Sequence, residues 1–176
     1  MEALQLPFGE TVEPTGVPTL RVEVVRSTKR RRTVEARMVG DVLQLRIPAR
    51  LSLAEEERWK AEMLRRFERS QRAAGIDLEV RAHDLATRYS FPQPASVRWV
   101  GNQNGRWGSC SVDRGHIRIS DRLAGFPPWV VEYVLVHELA HLVEQDHSPA
   151  FWALVDRYPK AERAKGFLIA KGLDGD

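Results

Sequence analysis

Apolar and polar residues alternate along three segments near the start of the chain. The alternation begins at Thr19 and ends near Pro48, and Gly40-Asp41 separates the second segment from the third. A period of two residues is typical of strands with one buried face and one wet face. We therefore predict an N-terminal antiparallel β-meander over residues 19–48, with these inward positions: Leu20, Val22, Val24, Val34, Ala36, Met38, Leu43, Leu45 and Ile47.

The spacing of apolar residues changes from two to four after the meander. Trp59, Met63 and Phe67 recur at four-residue intervals, as on the buried face of a helix that runs from about Ser52 to Gly75. The elements predicted downstream are a helix over 78–89, strands over 97–100, 106–111 and 116–120, and helices over 129–143, 149–158 and from 159 to about 170.

These elements predict an α+β fold in one domain over residues 19–176. Residues 1–18 are rich in proline, glycine and acidic residues and have no period, so we expect a flexible leader. The meander would occupy 19–48, and residues 52–176 would supply the helices and a second short antiparallel sheet. A length of 176 residues suits one domain with a full core.

Composition sets the expected compartment. The one cysteine, Cys110, excludes an internal disulfide and fits a reducing environment. No segment approaches the ~20 apolar residues of a membrane span, and the first residues do not show the pattern of a secretion signal. We therefore expect a cytoplasmic protein that does not contact a membrane, and its oligomeric state stays open.

The positive charge of the chain is concentrated in one short region. Residues 21–37 hold seven Lys or Arg and two Glu, a net charge of +5, whereas the whole chain carries +3. The connection between the first two predicted strands is therefore either a solvated hairpin tip or a weak contact for nucleic acid or nucleotides. Its candidate polyanion contacts are Lys29, Arg30, Arg31 and Arg32.

Ionisable residues interrupt the apolar segment 129–143, whose composition predicts a buried helix. His137 and His141 are four residues apart, so both imidazoles project from one helix face and can hold one zinc ion. Glu138 lies beside them, where its carboxylate can act as the base for a zinc-bound water. Buried ionisable groups are costly unless they are paired or bind metal, which favours this reading over an ordinary helix.

His147 is the expected third ligand, because catalytic zinc usually takes three protein ligands and keeps one position open. Ser148-Pro149 follows it and has the pattern of a helix start, which would place His147 at a sharp corner. Two alternatives remain open. The histidines could be core residues bonded to backbone groups, or Cys110 could be a fourth ligand that makes the zinc structural.

Three motifs occur in order along the chain: RWGSCS at 106–111, HELAH at 137–141 and HSPAFW at 147–152. Together they resemble the YgjP-like family of small bacterial zinc metallopeptidase-like proteins, related to the SprT-like zincins. The resemblance covers roughly residues 20–159. It implies a minimal zincin core, in which a short antiparallel sheet packs against the metal helix, with the β-meander added at the N-terminus.

The resemblance implies one Zn²⁺ per chain, bound by His137, His141 and His147, with Glu138 as general base. The spacing of these residues also matches the metzincin pattern, which however requires glycine where this chain has Glu144 and a methionine that this chain lacks after the site. Asp146 precedes the third histidine, where family members often have asparagine. It would act as a carboxylate that supports the ligands or as a polar loop residue.

The function expected from these features is a zinc-dependent hydrolase, most simply a metallopeptidase acting on peptides or proteins. The strand 116–120 would pair with an extended substrate, and Trp107 would pack the sheet against the metal helix. Candidates for stabilising the oxyanion are Arg106, His116 and Tyr158. Two alternatives stay open: a metal-dependent nucleoside triphosphate pyrophosphatase or hydrolase, and a non-catalytic nucleic-acid-binding module with structural zinc.

Overall fold

The computed structural model describes residues 20–103 and 105–172, so the predicted leader over 1–18 lies outside the described residues. The α+β class predicted from the sequence is confirmed. In chain order the elements are β1 (Arg21–Ser27), β2 (Glu35–Val39), β3 (Val42–Pro48), α1 (Leu53–Ala74), α2 (Leu78–Tyr89), β4 (Ser96–Val100), β5 (Gly108–Ser111), β6 (His116–Ser120), α3 (Pro128–Ala140), α4 (Pro149–Val155) and α5 (Ala161–Ala170).

The described chain divides into two compact units between Met63 and Leu64, at a boundary within α1. The single domain predicted over 19–176 stays a prediction. Ser52 caps the start of α1, where its hydroxyl and amide both contact the Glu55 carboxylate at 2.8–2.9 Å. Within the described residues, no helix is long and apolar enough to cross a bilayer.

The N-terminal sheet is not the predicted meander. Its strand order is β1-β3-β2: β2 and β3 form the expected antiparallel hairpin, but β1 pairs with β3 in parallel. Alternation along a strand reports which side chains are buried and carries no information about which strand lies alongside. Leu43, Leu45 and Ile47 on central β3 are at most 1% exposed, so the predicted inward face of this strand is correct.

The second sheet repeats the same arrangement. Its order is β4-β6-β5, with β4 parallel and β5 antiparallel to the central β6, so the short sheet is mixed and not purely antiparallel as predicted. Ile117 and Ile119 of β6 are fully buried. Because both edges of β6 are occupied, the strand predicted to receive substrate is unsuitable for strand addition. Strand β5 packs against α3, and within the described sheet one of its edges pairs with no other strand.

Helix α3 is buried on nearly every side, as its apolar sequence requires. Pro128 begins it, where the missing amide hydrogen costs nothing. It ends at Ala140, three residues earlier than predicted, and His141 forms its C-cap. The next turn then reverses the chain direction, and the amides of Val143 and Glu144 donate to the Ala140 carbonyl at 3.0 and 2.9 Å.

Candidate metal centre and adjoining cavity

Three imidazoles converge at the end of α3. One candidate donor atom from each of His137, His141 and His147 lies within 4.8 Å of the others. The Nε2 atoms of His137 and His147 are 3.2 Å apart. Within the part of the chain that the structure describes, this is the cluster with the spacing of a metal site, and it contains the three residues proposed from the sequence.

The turn after α3 and the start of α4 place the third histidine. Ser148 caps α4 by accepting a hydrogen bond from the Phe151 amide at 3.2 Å, and its own amide donates to the Asp146 carbonyl at 2.7 Å. Asp146 therefore contributes to this corner through its backbone, and its side chain is exposed. The cap sequence Ser148-Pro149 that the sequence analysis noted is the feature that returns His147 to α3.

A buried aromatic ring holds the three imidazoles together. Phe151 is fully buried, and its ring centroid lies 4.9, 4.5 and 4.7 Å from those of His137, His141 and His147. Trp152 stacks on His147 with centroids 5.5 Å apart. A histidine packed against rigid rings loses little further freedom on binding an ion, so the cluster is preorganised.

One hydrogen bond and one pKa shift describe His141 and His137 as possible ligands. The Nδ1 of His141 donates to the Glu144 carbonyl at 3.2 Å, which makes Nε2 the nitrogen that can ligate a metal. Burial, reinforced by the neighbouring His141 and His147, lowers the pKa of His137 to about 3. His137 is therefore neutral at physiological pH, the form that binds metal.

This donor set fits zinc. Tetrahedral zinc with Zn–N bonds of roughly 2.0–2.1 Å needs ligand nitrogens about 3.3 Å apart, close to the 3.2 Å between His137 and His147. Three imidazoles without a thiolate are typical of a catalytic zinc site that keeps a position open. Cys110 is not in the cluster, and burial together with the Glu138 charge raises the pKa of its thiol to about 11.

Glu138 is buried yet carries a carboxylate, and a glycine makes room for it. The side chain is only 5% exposed. A Cβ placed on Gly108 would stand 2.3 Å from Glu138 Oε1 and 2.8 Å from its Cδ, so any larger residue would displace the carboxylate. The glycine of the RWGSCS motif therefore fixes how closely β5 approaches the metal helix.

A cavity of about 240 Å³ opens beside His137 and Glu138. Most of its wall is aromatic or aliphatic, and Arg106 and Lys165 add two cations. The complete lining is Arg106, Trp107, Gly108, Tyr133, Val134, His137, Glu138, Trp152, Lys165, Leu168 and Ile169.

Of the three residues suggested as oxyanion stabilisers, the structure places Arg106 on the cavity and the other two elsewhere. His116 lies at the start of β6, where its Nδ1 is 2.9 Å from Ser96 Oγ. Tyr158 is buried and donates to the Trp129 carbonyl at 3.0 Å and to Glu132 at 2.9 Å. Burial and the bond to Glu132 raise the pKa of Tyr158, consistent with a structural role.

Tyr133 lines the cavity but was not identified from the sequence. It stands one helical turn before His137, and the two ring centroids are 6.4 Å apart. Burial raises the pKa of Tyr133 to about 12, so its hydroxyl stays protonated. No described residue hydrogen-bonds to that hydroxyl. The four-residue spacing to His137 was the available signal, but Tyr133 looked like one more member of an apolar run.

Lys165 is the second cavity residue that the sequence did not reveal. Its Nζ donates to Glu162 at 2.7 Å and to Asp156 at 3.3 Å, and it lies 4.9 Å from the Trp152 ring centroid. Burial works to lower the pKa of Lys165, but the two carboxylates raise it overall. Its position depends on how α5 packs, so no local pattern could have indicated it.

The basic residues Lys29–Arg32 lie in the N-terminal unit, in the connection between β1 and β2. Arg30 pairs with Glu35, whereas Arg31 and Arg32 line a separate pocket of that unit. The described structure therefore places the predicted site residues other than His116 and Tyr158 in two regions, the metal cluster with its cavity and the basic connection.

Comparisons with known proteins agree with this architecture. A crystal structure of the metallopeptidase zymogen abylysin from Pyrococcus abyssi superposes with a TM-score of 0.50 at 21% identity, covering 56% of this chain and 98% of that one. The zymogen of Methanocaldococcus jannaschii jannalysin gives a TM-score of 0.48 at 15% identity, covering 55% and 97%. A search of curated proteins finds no match.

The first superposition shows a shared fold and no more, because the two sequences are too different to transfer a function. The sequence itself gives the stronger result. It matches the family described as YgjP-like, metallopeptidase domain, over residues 21–169, a range that holds both sheets and all three histidines. The protein therefore belongs to the YgjP-like family and carries its metallopeptidase domain.

Proposed function

We propose that the protein is a zinc-dependent peptidase in which His137, His141 and His147 hold one Zn²⁺ and Glu138 is the general base. The observation that carries this proposal is the convergence of the three imidazoles beside a buried carboxylate that faces a cavity. A structural zinc would need no such carboxylate and no cavity. Burying Glu138 without a task would only destabilise the fold.

The residues of the chain supply positioning and proton transfer. When bound, zinc provides a water of lowered pKa, near 7, and polarises the substrate carbonyl. Glu138 takes a proton from the attacking water and passes it to the leaving amine. The close approach of Gly108 keeps the carboxylate over the reacting atoms, and the apolar walls of the cavity limit access of bulk water.

Tyr133 is our proposed stabiliser of the negative charge that develops on the carbonyl oxygen. Tyr133 lines the cavity one helical turn before His137, and no described residue hydrogen-bonds to its protonated hydroxyl. Arg106 stands on the same wall and is the second candidate. Donors fixed in advance at such a position account for a large share of catalysis in acyl transfer.

The size and lining of the cavity favour peptides over nucleoside triphosphates. Its volume of about 240 Å³ falls below the roughly 300–1,000 Å³ of typical small-molecule sites. Its apolar walls suit one large hydrophobic side chain. A triphosphate would require several unpaired cations, yet Lys165 is already engaged by Glu162 and Asp156.

The free edge of β5 is the proposed place for the substrate backbone. Only β6 pairs with β5 in the described sheet, and Gly108 at its start lines the cavity. An extended peptide added to this edge would lie next to Glu138. This assignment replaces the strand 116–120, whose two edges are both occupied.

Peptide-library cleavage by the zinc-loaded protein tests the proposal, with Glu138→Gln as the variant. Gln keeps the shape and removes the base, so zinc content should stay while turnover falls by roughly 10²-fold or more. Glu132→Gln is the matched control, because Glu132 lies on the same helix but contacts Tyr158 instead of the cavity. Near-wild-type turnover by Glu138→Gln would refute the mechanism.

A further inference from the structure

A second concave site lies entirely within the N-terminal unit. Its volume is about 310 Å³, and three arginines reach it from two different segments. Arg31 and Arg32 come from the β1–β2 connection, and Arg50 follows β3. The remaining wall is formed by Val34, Pro48, Leu51, Glu55 and Trp59.

The arginines of this pocket form no ion pair with a described acidic residue, although the charge of Arg50 helps to lower the pKa of Glu55. No described aspartate or glutamate forms an ion pair with Arg31, Arg32 or Arg50, whereas the neighbouring Arg30 pairs with Glu35. The Nη2 of Arg50 donates to the Arg31 carbonyl at 2.8 Å, which orients its guanidinium and joins the two segments. Like charges that line one pocket repel each other, so an anion bound there would lower the electrostatic energy.

Glu55 supplies the one carboxylate in the lining of the pocket, and this carboxylate is hydrogen-bonded to Ser52. Glu55 accepts hydrogen bonds from the Ser52 amide and hydroxyl at 2.9 and 2.8 Å, and these bonds lower its pKa. Three guanidinium groups against this one carboxylate leave the lining at a formal +2. The pocket therefore favours an anionic ligand even with Glu55 ionised.

The apolar part of the pocket wall indicates that the ligand has an apolar or aromatic group beside its anionic group. Trp59 is partly buried, and its indole has no ring contact or hydrogen bond among the described residues. Val34, Pro48 and Leu51 add apolar surface beside it. A free phosphate needs only the cations, whereas an unpaired nucleobase would use the aromatic and aliphatic walls and place its phosphates at the arginines.

We propose that this pocket binds single-stranded nucleic acid, with an unpaired base against Trp59 and backbone phosphates at Arg31, Arg32 and Arg50. In a duplex the bases are paired and stacked, so they cannot enter a pocket of this kind. The proposal does not depend on peptidase activity, because every residue that carries it belongs to the N-terminal unit.

Fluorescence anisotropy with a labelled oligothymidine of about 15 nucleotides tests the proposal on the full chain. Arg31→Gln with Arg32→Gln should weaken binding at least tenfold. It should also reduce the slope of log K against log salt by about 1.4, since each lost phosphate contact contributes ~0.7 for single strands. Trp59→Ala should weaken binding by at least about fivefold with the slope unchanged.

Arg21→Gln with Arg37→Gln is the matched control. It removes the same charge from exposed strand positions outside the pocket, and its salt slope should stay close to that of the wild type. Equal losses in the two double variants would overturn the proposal, because they would indicate diffuse attraction alone. Tighter binding to a duplex of the same length, or to phosphatidylserine vesicles, would also overturn it. A thermal melt confirms that each variant is folded.

Discussion

The two three-stranded sheets share one topology and differ in what surrounds them. In each, the first and second strands flank the third, with one parallel and one antiparallel pairing. The sheet of β4, β5 and β6 packs against α3 and borders the cavity. The sheet of β1, β2 and β3 carries a pocket rich in arginine.

The shared topology explains where the candidate binding residues occur. Because the first two strands lie on opposite sides of the third, their connection must span about two strand spacings of ~4.8 Å and cannot be a tight hairpin. In one sheet that connection carries Arg31 and Arg32, and in the other it leads to Arg106 and Trp107. The long crossover thus carries residues that line the arginine-rich pocket in one unit and residues that line the cavity beside the histidines in the other.

The largest effect on peptide turnover is expected from a substitution beside Glu138. Gly108→Ala would place a methyl group 2.3 Å from Glu138 Oε1, so the carboxylate must turn away. We expect peptide turnover to fall by at least about 10²-fold, while stability changes by only about 1–3 kcal/mol. Gly105→Ala is the control, since a Cβ there meets no atom within 4 Å. Equal turnover in the two variants would contradict this role of β5.

Substitutions of two tyrosines test which of them acts in the reaction within the C-terminal unit, which begins at Leu64. Tyr133→Phe should lower kcat by about 10- to 10²-fold and leave zinc content and stability nearly unchanged. Tyr158→Phe should leave kcat nearly unchanged and cost about 1–3 kcal/mol, because it loses hydrogen bonds to Glu132 and the Trp129 carbonyl. Steady-state kinetics and denaturant unfolding distinguish the two, and the reverse pattern would exchange their roles.

The smallest expected effect tests whether the two sites act separately. Arg31→Gln with Arg32→Gln should change turnover of a short uncharged peptide by less than about twofold, because surface charges act weakly on a neutral substrate at physiological salt. A large loss of turnover at saturating peptide would show that the basic connection contributes to the reaction. That result would favour the nucleotide hydrolase alternative.

The sequence predicted the elements of the fold better than their pairing. Alternation identified Leu43, Leu45 and Ile47 as a buried face, and the Ser52-Glu55 spacing located the start of α1. The parallel partnership of β1 with β3 left no local trace, since a side-chain pattern is the same whichever strand lies alongside. Consecutive strands usually pair, and that rule is what made the meander prediction wrong.

The sequence was most informative where the site is local. His137 and His141 share a helix face, and the cap at Ser148 indicated that His147 turns back toward them. The positions of Lys165 and Arg106 depend on how α5 and β5 pack on α3, which spacing along the chain does not indicate. A tyrosine in a cavity and one in a structural hydrogen bond look alike in sequence.

Zinc titration of chelator-treated protein by calorimetry tests the central claim most directly. We expect the wild type to bind one zinc per chain. His141→Ala together with His147→Ala should abolish stoichiometric binding, because a single imidazole cannot retain the ion. His83→Ala is the control, since His83 lies on α2, contacts Gln93 and belongs to no metal cluster among the described residues. Stoichiometric zinc retained by the double variant would contradict the assignment of the metal centre.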